Sequence, residues 1–189
     1  TGLIHLGEVG LSQGDVTAAQ EHFTQSLEML RQIGDRQKQC EALNGLGHVA
    51  FYQSDYTAAQ EYYSQCLDLA RQLGDRSAEG RYLHNLAKTA VVLGQVDGGR
   101  TYFEQAQALH QELSQPQYMV EDLAGLAALA WQVGAQEEAQ AHLDALLLVL
   151  AANPGLDGAQ DPQRVILSVV RLLDALGDGR AAAILADAQ

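Results

Sequence analysis

The stretch LGHVAFYQSDYTAAQEYYSQCL, Leu46 to Leu67, decides how the chain is read. Forty residues earlier the chain runs LGEVGLSQGDVTAAQEHFTQSL, Leu6 to Leu27. Forty residues later it runs LAKTAVVLGQVDGGRTYFEQAQ, Leu86 to Gln107, and one more such step gives LAALAWQVGAQEEAQAHLDALL, Leu126 to Leu147. Four segments in register without gaps define an internal repeat. A repeat of this period marks a stacked array, in which each unit leans on its neighbours for a core.

Within one repeat the apolar residues follow helical spacing. After Asp35, the residues Cys40, Leu43, Leu46, Gly47 and Ala50 recur at intervals of three and four, which predicts an amphipathic helix over Arg36 to Gln53. Asp35 is placed to cap it, because its carboxylate accepts the free amides of the first turn. Gln53-Ser54-Asp55 reads as a short turn with Asp55 as the next cap. Ala59, Tyr63, Cys66, Leu67 and Ala70 then line one face of a second helix, Tyr56 to Leu73. Gly74 ends that helix, since glycine tolerates the left-handed conformation found there. The linker repeats as well: Ile33-Gly34-Asp35-Arg36 is followed by Leu73-Gly74-Asp75-Arg76. Two sets of small residues recur, Gly7, Gly47, Ala87 and Ala127, and Ala19, Ala59, Gly99 and Ala139. They are expected to let the two helices of a hairpin approach closely. Phe23, Tyr63, Phe103 and Leu143 are expected to fill the next layer.

This order of small residue, turn, small residue and aromatic resembles the tetratricopeptide repeat (TPR). In the second repeat the matching residues are Leu46-Gly47, Ala50, Asp55-Tyr56, Ala59, Tyr63 and Leu67. The period is 40 residues instead of about 34. In that length and in its Gly-Asp-Arg linker the chain is similar to the repeats of kinesin light chains and of Leu-Gly-Asn-type scaffolds. It also resembles the sensor arrays of bacterial signalling ATPases and transcriptional activators. HEAT and armadillo repeats share the period but lack the paired small positions. The resemblance implies an all-α fold, an α-α superhelix (solenoid) of helical hairpins.

The expected organisation is four repeats over about 1–34, 35–74, 75–114 and 115–152, the first truncated, then a loop over 153–163. Asp161-Pro162 reads as a helix start. A degenerate fifth hairpin over 164–189, made of Arg164 to Leu176 and Asp178 to Ala188, is expected to cap the array and cover the apolar run Leu146 to Leu150. Thr1 is read as a cut in a longer polypeptide, because the first helix lacks its usual beginning.

In TPR-like arrays the first helix of each hairpin lines the concave side. By that resemblance the groove-facing positions are Glu8, Glu41, Asn44, His48, Phe51, Tyr52, Arg81, His84, Lys88, Glu121, Trp131, Arg171 and Asp174. Glu41, Asn44, His48, Tyr52, Arg81, His84 and Lys88 are the expected partner-binding residues. In an acidic chain, Arg81 and Lys88 form a local basic spot suited to a carboxylate. The carboxylate clamp of the family's chaperone-binding subset is incomplete, with Ile4, Glu8 and Gly45 at its first places and only Arg81 and Asn85 fitting the third repeat. The function expected is a protein-protein interaction module that takes a peptide or helix in its groove, as the sensor or scaffold part of a larger signalling or transcription-regulatory protein. The alternatives are a small-molecule-sensing regulatory domain and a self-association domain, so a homo-oligomer is kept open.

The bulk properties narrow the classes further. With 189 residues, 47% of them hydrophobic, and only three prolines, the chain has enough apolar matter for a core. Its net charge of −13 opposes binding to phosphate backbones or anionic membranes. The longest apolar run, Leu146 to Ala152, is too short to span a bilayer. Cys40 and Cys66 have no metal or redox spacing and read as small packed side chains in a reducing cytoplasm. His48 and His84, on neighbouring first helices, are too few for a metal site. His5, His22, His110 and His142 read as surface residues, Trp131 as a packing residue, and the pairs Glu121-Asp122 and Glu137-Glu138 as solvent-facing. No phosphate loop, Gly-x-Ser-x-Gly turn or His-Glu-x-x-His helix occurs, so no catalytic residue, metal or cofactor is expected.

Overall fold

The computed structural model describes residues 2–153, 156 and 162–180. The described residues form helices α1 (Gly2–Ser12), α2 (Val16–Ile33), α3 (Arg36–Tyr52), α4 (Tyr56–Leu73), α5 (Arg76–Val92), α6 (Val96–Glu112), α7 (Pro116–Gln132), α8 (Gln136–Ala152) and α9 (Pro162–Ala175). The fold is an all-α solenoid of consecutive helical hairpins, with no strand among the described residues. No helix among these is long and apolar enough to cross a membrane. The second repeat's helices fall where the spacing places them, except that Gln53 ends α3 instead of belonging to it.

Local chemistry sets the helix ends. Asp15, Asp35, Asp55 and Asp75 each accept a hydrogen bond from the amide three residues on, at 3.0, 3.1, 3.1 and 2.9 Å. A side-chain cap of this kind is worth about 1 kcal/mol. Gly34 and Gly74 close α2 and α4 in the left-handed region, at φ 75° and 69°. The later helices use other devices. α7 opens with Pro116, whose missing amide costs nothing at that position, and neither Gln115 nor Ala135 supplies a side-chain cap.

The chain divides into two compact units, Thr1–Tyr102 and Phe103–Gln189. In the first, successive helices from α1 to α5 pack on one another. The small residues do two separate jobs there. A Cβ on Gly10 would lie 3.2 Å from the Ala19 amide nitrogen, so Gly10 and Ala19 mark the close approach of α1 and α2. Gly7 and Gly47 instead make room for rings: a Cβ on Gly7 would fall 2.7 Å from Phe23, and one on Gly47 would overlap Tyr63. Gly45 of α3 also abuts Phe23, so this ring, 1% exposed, is held between its own hairpin and the next. Cys40 and Cys66 are buried, and the Cys66 thiol donates to the Cys40 carbonyl at 3.5 Å.

In the second unit, Phe103 packs on Gly125 in the same way. Val120, Leu123, Ala127, Leu143, Leu146, Val165, Val169 and Leu173 form one core, through which α9 packs against α7 and α8. Leu146, at the start of the apolar run, is fully buried, whereas Leu148 is 72% exposed. Residues 181–188 of the expected fifth hairpin, most of the expected loop 153–163 and the Asp161 helix start lie outside the described residues.

The burial of three residues differs from expectation. His110 is not a surface residue: it is 0% exposed, and its Nδ1 lies 2.6 Å from Oδ2 of Asp122. Asp122 is likewise 0% exposed instead of solvent-facing, while its neighbour Glu121 is half-buried. The reason lies in the register. Position 110 aligns with the buried Leu30 and Ala70, and position 122 with the buried Ala42 and Tyr82, so helical geometry directs both inward whatever their polarity. Trp131 departs the other way and leaves 42% of its surface exposed.

Candidate functional site

The seven residues singled out by the sequence lie in the first unit. Glu41, Asn44, His48 and Tyr52 sit on α3, and Arg81, His84 and Lys88 on α5. Intervals of three and four residues bring each set onto one stripe of its helix. The stripes correspond rung by rung: Glu41 to Arg81, Asn44 to His84 and His48 to Lys88 are each one repeat apart. The opposite stripes bury Ala42, Leu43, Leu46, Val49 and Ala50 on α3, and Tyr82, Leu83, Leu86, Ala87 and Ala90 on α5. The core is therefore supplied without the candidate residues.

Their exposure is graded. Glu41, Arg81 and Lys88 are exposed, as is Tyr52 at 68%, while Asn44, His48 and His84 are half-buried. Asn85 Nδ2 donates to Asn44 Oδ1 at 3.1 Å, which ties α5 to α3 with an amide pair. Each amide uses one group in this bond, and an amide side chain has four hydrogen-bonding positions in all. The Tyr63 hydroxyl and His48 Nδ1 are 3.1 Å apart, with the rings edge to face at 5.7 Å. Burial, with smaller contributions from Cys66 and Tyr52, pushes the Tyr63 phenol well above its ordinary value. The phenol thus keeps its proton and can donate it to Nδ1, which leaves the proton of a neutral His48 ring on Nε2.

The basic spot is more mixed than the sequence implied. Arg81 rims a recess whose lining includes Glu41, Cys40, Asp75 and Tyr82, so its guanidinium shares the recess with two carboxylates. Lys88 stands two helical turns further along α5, roughly 10 Å by helical rise. The Nδ1 of His48 is engaged by Tyr63, and no group of three or more metal-ligating side chains occurs among the described residues. Sequence reading missed Asn85 and Tyr63 as partners of the row. Asn85 stands where the repeats on either side have Gly45 and Gly125, so a polar side chain between two glycines was the available signal. Of the other residues expected to face a groove, Glu8 and Trp131 are exposed, Phe51 is half-buried with its ring 5.2 Å from that of Tyr56, Glu121 is half-buried, and Arg171 and Asp174 are exposed.

Comparison with known proteins bears on this geometry. A family model described as tetratricopeptide repeat matches residues 1–72 and 38–96. No curated protein sequence matches the chain. Among solved structures, BtubC (BKLC) from P. vanneervenii is similar at a TM-score of 0.76 and 18% identity, over 97% of this chain and 75% of that one. The putative kinesin light chain with nearly identical TPR-like repeats from Podospora anserina is similar at 0.71 and 16%, over 99% and 92%. The Rap conjugation gene regulator of the plasmid pLS20, in complex with the Phr* peptide, is similar at 0.76 and 13%, over 98% of this chain and 51% of that one. At these identities the likeness is one of fold.

Proposed function

Since the chain belongs to the tetratricopeptide repeat family of protein-interaction modules, we propose that it takes a peptide or a helix of a protein partner along the row carried by α3 and α5. The contact residues are Glu41, Asn44, His48, Tyr52, Arg81, His84 and Lys88. The observation that carries this reading is the row itself: charged, amide and aromatic side chains stand in register on two successive first helices while the core is filled from the opposite stripes. The Asn44–Asn85 pair offers amide groups for a partner's main chain. The Arg81 guanidinium matches a carboxylate in shape and charge. Tyr52 supplies apolar surface at the end of the row. A peptide-bound solved structure of the same fold, the Rap regulator with Phr* peptide, supports the choice of ligand class. That protein's role as a conjugation gene regulator is in keeping with a wider reading of this chain as a sensing segment of a larger regulatory protein.

The test is enrichment from a displayed peptide library on the wild-type chain and on Arg81→Glu/Lys88→Glu, with thermal unfolding to show that both are folded. Reversing two exposed charges costs about 1 kcal/mol each against an acidic ligand, so enriched peptides should bind the variant at least about tenfold more weakly. Equal binding by the two proteins would remove this row as the site.

A further inference from the structure

The row ends on a rung that the repeat does not require. Tyr52 and Val92 are the last residues of α3 and α5, one repeat apart, and are 68% and 50% exposed. At the same place α1 ends on Ser12 and α7 on Gln132. Among the described residues, one other pair of large apolar side chains is exposed one repeat apart, Ile33 and Leu73. That pair continues as Leu113, so it belongs to the repeat, whereas the apolar rung is confined to the two helices of the row. A single exposed apolar residue is ordinary. Two on helices that the Asn44–Asn85 bond ties together form a patch that gains from being covered. The charge around it is unlike the rest of the chain. Residues 45–53 and 85–93 include no acid, and Lys88 is their one permanent charge, in a chain of net charge −13. Glu8, at the level of Lys88 in the repeat, is on α1, which packs on α3.

On the reading of α3 and α5 as the partner site, we propose that the Tyr52–Val92 rung seats a bulky apolar side chain of an extended, acidic peptide. An Asp or Glu two residues from that anchor faces Lys88. Spacing sets the interval. Val92 lies four residues beyond Lys88 on α5, about 6 Å of helical rise. Two residues of extended chain cover about 6.6 Å and put both side chains on one face. The Asn44–Asn85 pair is seven to eight residues back from the rung, about 10–12 Å, or roughly three to four extended residues. Its bond uses one group of each amide, and the groups left over suit a main chain whose own amides are unused. An extended segment has such amides, whereas the interior of a helix has spent them on itself. Charge completes the choice. An acidic peptide is repelled by most of this chain and meets a cation beside the rung, which fixes where along the row it binds.

Selection of random linear peptides displayed on phage, on the full chain, tests this. The enriched sequences should share a bulky apolar residue with Asp or Glu two positions away, a readout that needs no variant. The best of them, as a synthetic peptide, should bind Tyr52→Ser/Val92→Ser at least about tenfold more weakly than wild type. Lys88→Gln should weaken that peptide about threefold, because an exposed ion pair contributes little, and should weaken its acid-to-amide analogue less. Thermal unfolding shows that each variant is folded, and all three substituted side chains are exposed. Peptides that lose binding to Arg81→Glu/Lys88→Glu yet keep it on Tyr52→Ser/Val92→Ser would leave the row in place and overturn this proposal. A shared spacing of three or four residues, the mark of a bound helix, would do the same. Binding that neither pair of substitutions changes, or no enrichment at all, would overturn the row and the anchor together.

Discussion

Replacing Gly45 by Ala should destabilise the first unit, although the same change in an open helical position stabilises it. Alanine is favoured over glycine inside a helix by about 0.8–1.0 kcal/mol. At Gly98 of α6 the added methyl meets nothing nearer than Gln95 Cβ at 3.9 Å, so Gly98→Ala should gain most of that amount. At Gly45 the methyl would overlap three atoms of the Phe23 ring. The ring cannot swing away, because Gly7 bounds its other side and it is only 1% exposed. Overpacking of a filled interior costs about 1–3 kcal/mol, and confinement on two sides places this site at the upper end. The net expectation is a loss of about 2 kcal/mol, a large share of a domain's ~5–15 kcal/mol. Urea unfolding of wild type, Gly45→Ala, Gly98→Ala and Gly45→Ala/Phe23→Leu would measure it, as shifts in midpoint at constant slope. The leucine should recover part of the loss by removing the ring. A Gly45→Ala protein as stable as wild type, or a double variant no better than the single, would refute the account of Phe23 as a ring wedged between two hairpins.

Other consequences are open to measurement. Ser54 holds φ 62° where the equivalent Gly14, Gly94 and Gly134 hold 78°, 76° and 80°. Ser54→Gly should therefore raise stability by about 0.5–1 kcal/mol, and a thermal midpoint at or below the wild-type value would contradict it. Burial pushes the Cys40 thiol up to about 11 and the Cys66 thiol higher still, so a thiol reagent at neutral pH should label neither until the chain is unfolded. Immediate labelling of the native protein would show a more open hairpin than described. The hydrogen-bonded Arg180 guanidinium holds Asp178 down at about 2, below the ordinary carboxylate value. This contribution is complete above roughly pH 4 and fades as pH falls through about 2, so the midpoint gap between wild type and Arg180→Gln should close in strong acid. A gap unchanged at the lowest pH would count against the pairing.

The helices of the second repeat were legible because that repeat states its own limits. Asp35 and Asp55 cap, Gly74 stops, and the three-and-four spacing between them admits one period. The row of candidate contacts was legible as positions but not as bonds. That Asn44 meets Asn85 and His48 meets Tyr63 depends on how neighbouring helices cross, which no spacing within one helix reports. The job of the small residues was only half legible. Smallness at Gly7 and Gly10 looks alike in sequence, yet one admits a ring and the other a backbone. His110 and Asp122 were misread because polarity was weighed before register. Aligned on the repeat, they fall at buried positions, and alignment is the stronger cue in an array.

Phe23 seated between Gly7 and Gly45 also bears on how such a chain can change over generations. A duplicated or transplanted hairpin brings its own aromatic and one wall of its seat, but the other wall belongs to the following segment. Inserted ahead of α5, which presents Asn85 where α3 and α7 present Gly45 and Gly125, a phenylalanine-bearing hairpin would meet a side chain instead of a gap. Donor and acceptor therefore have to move together, so the order of the segments constrains the packing as well as their composition.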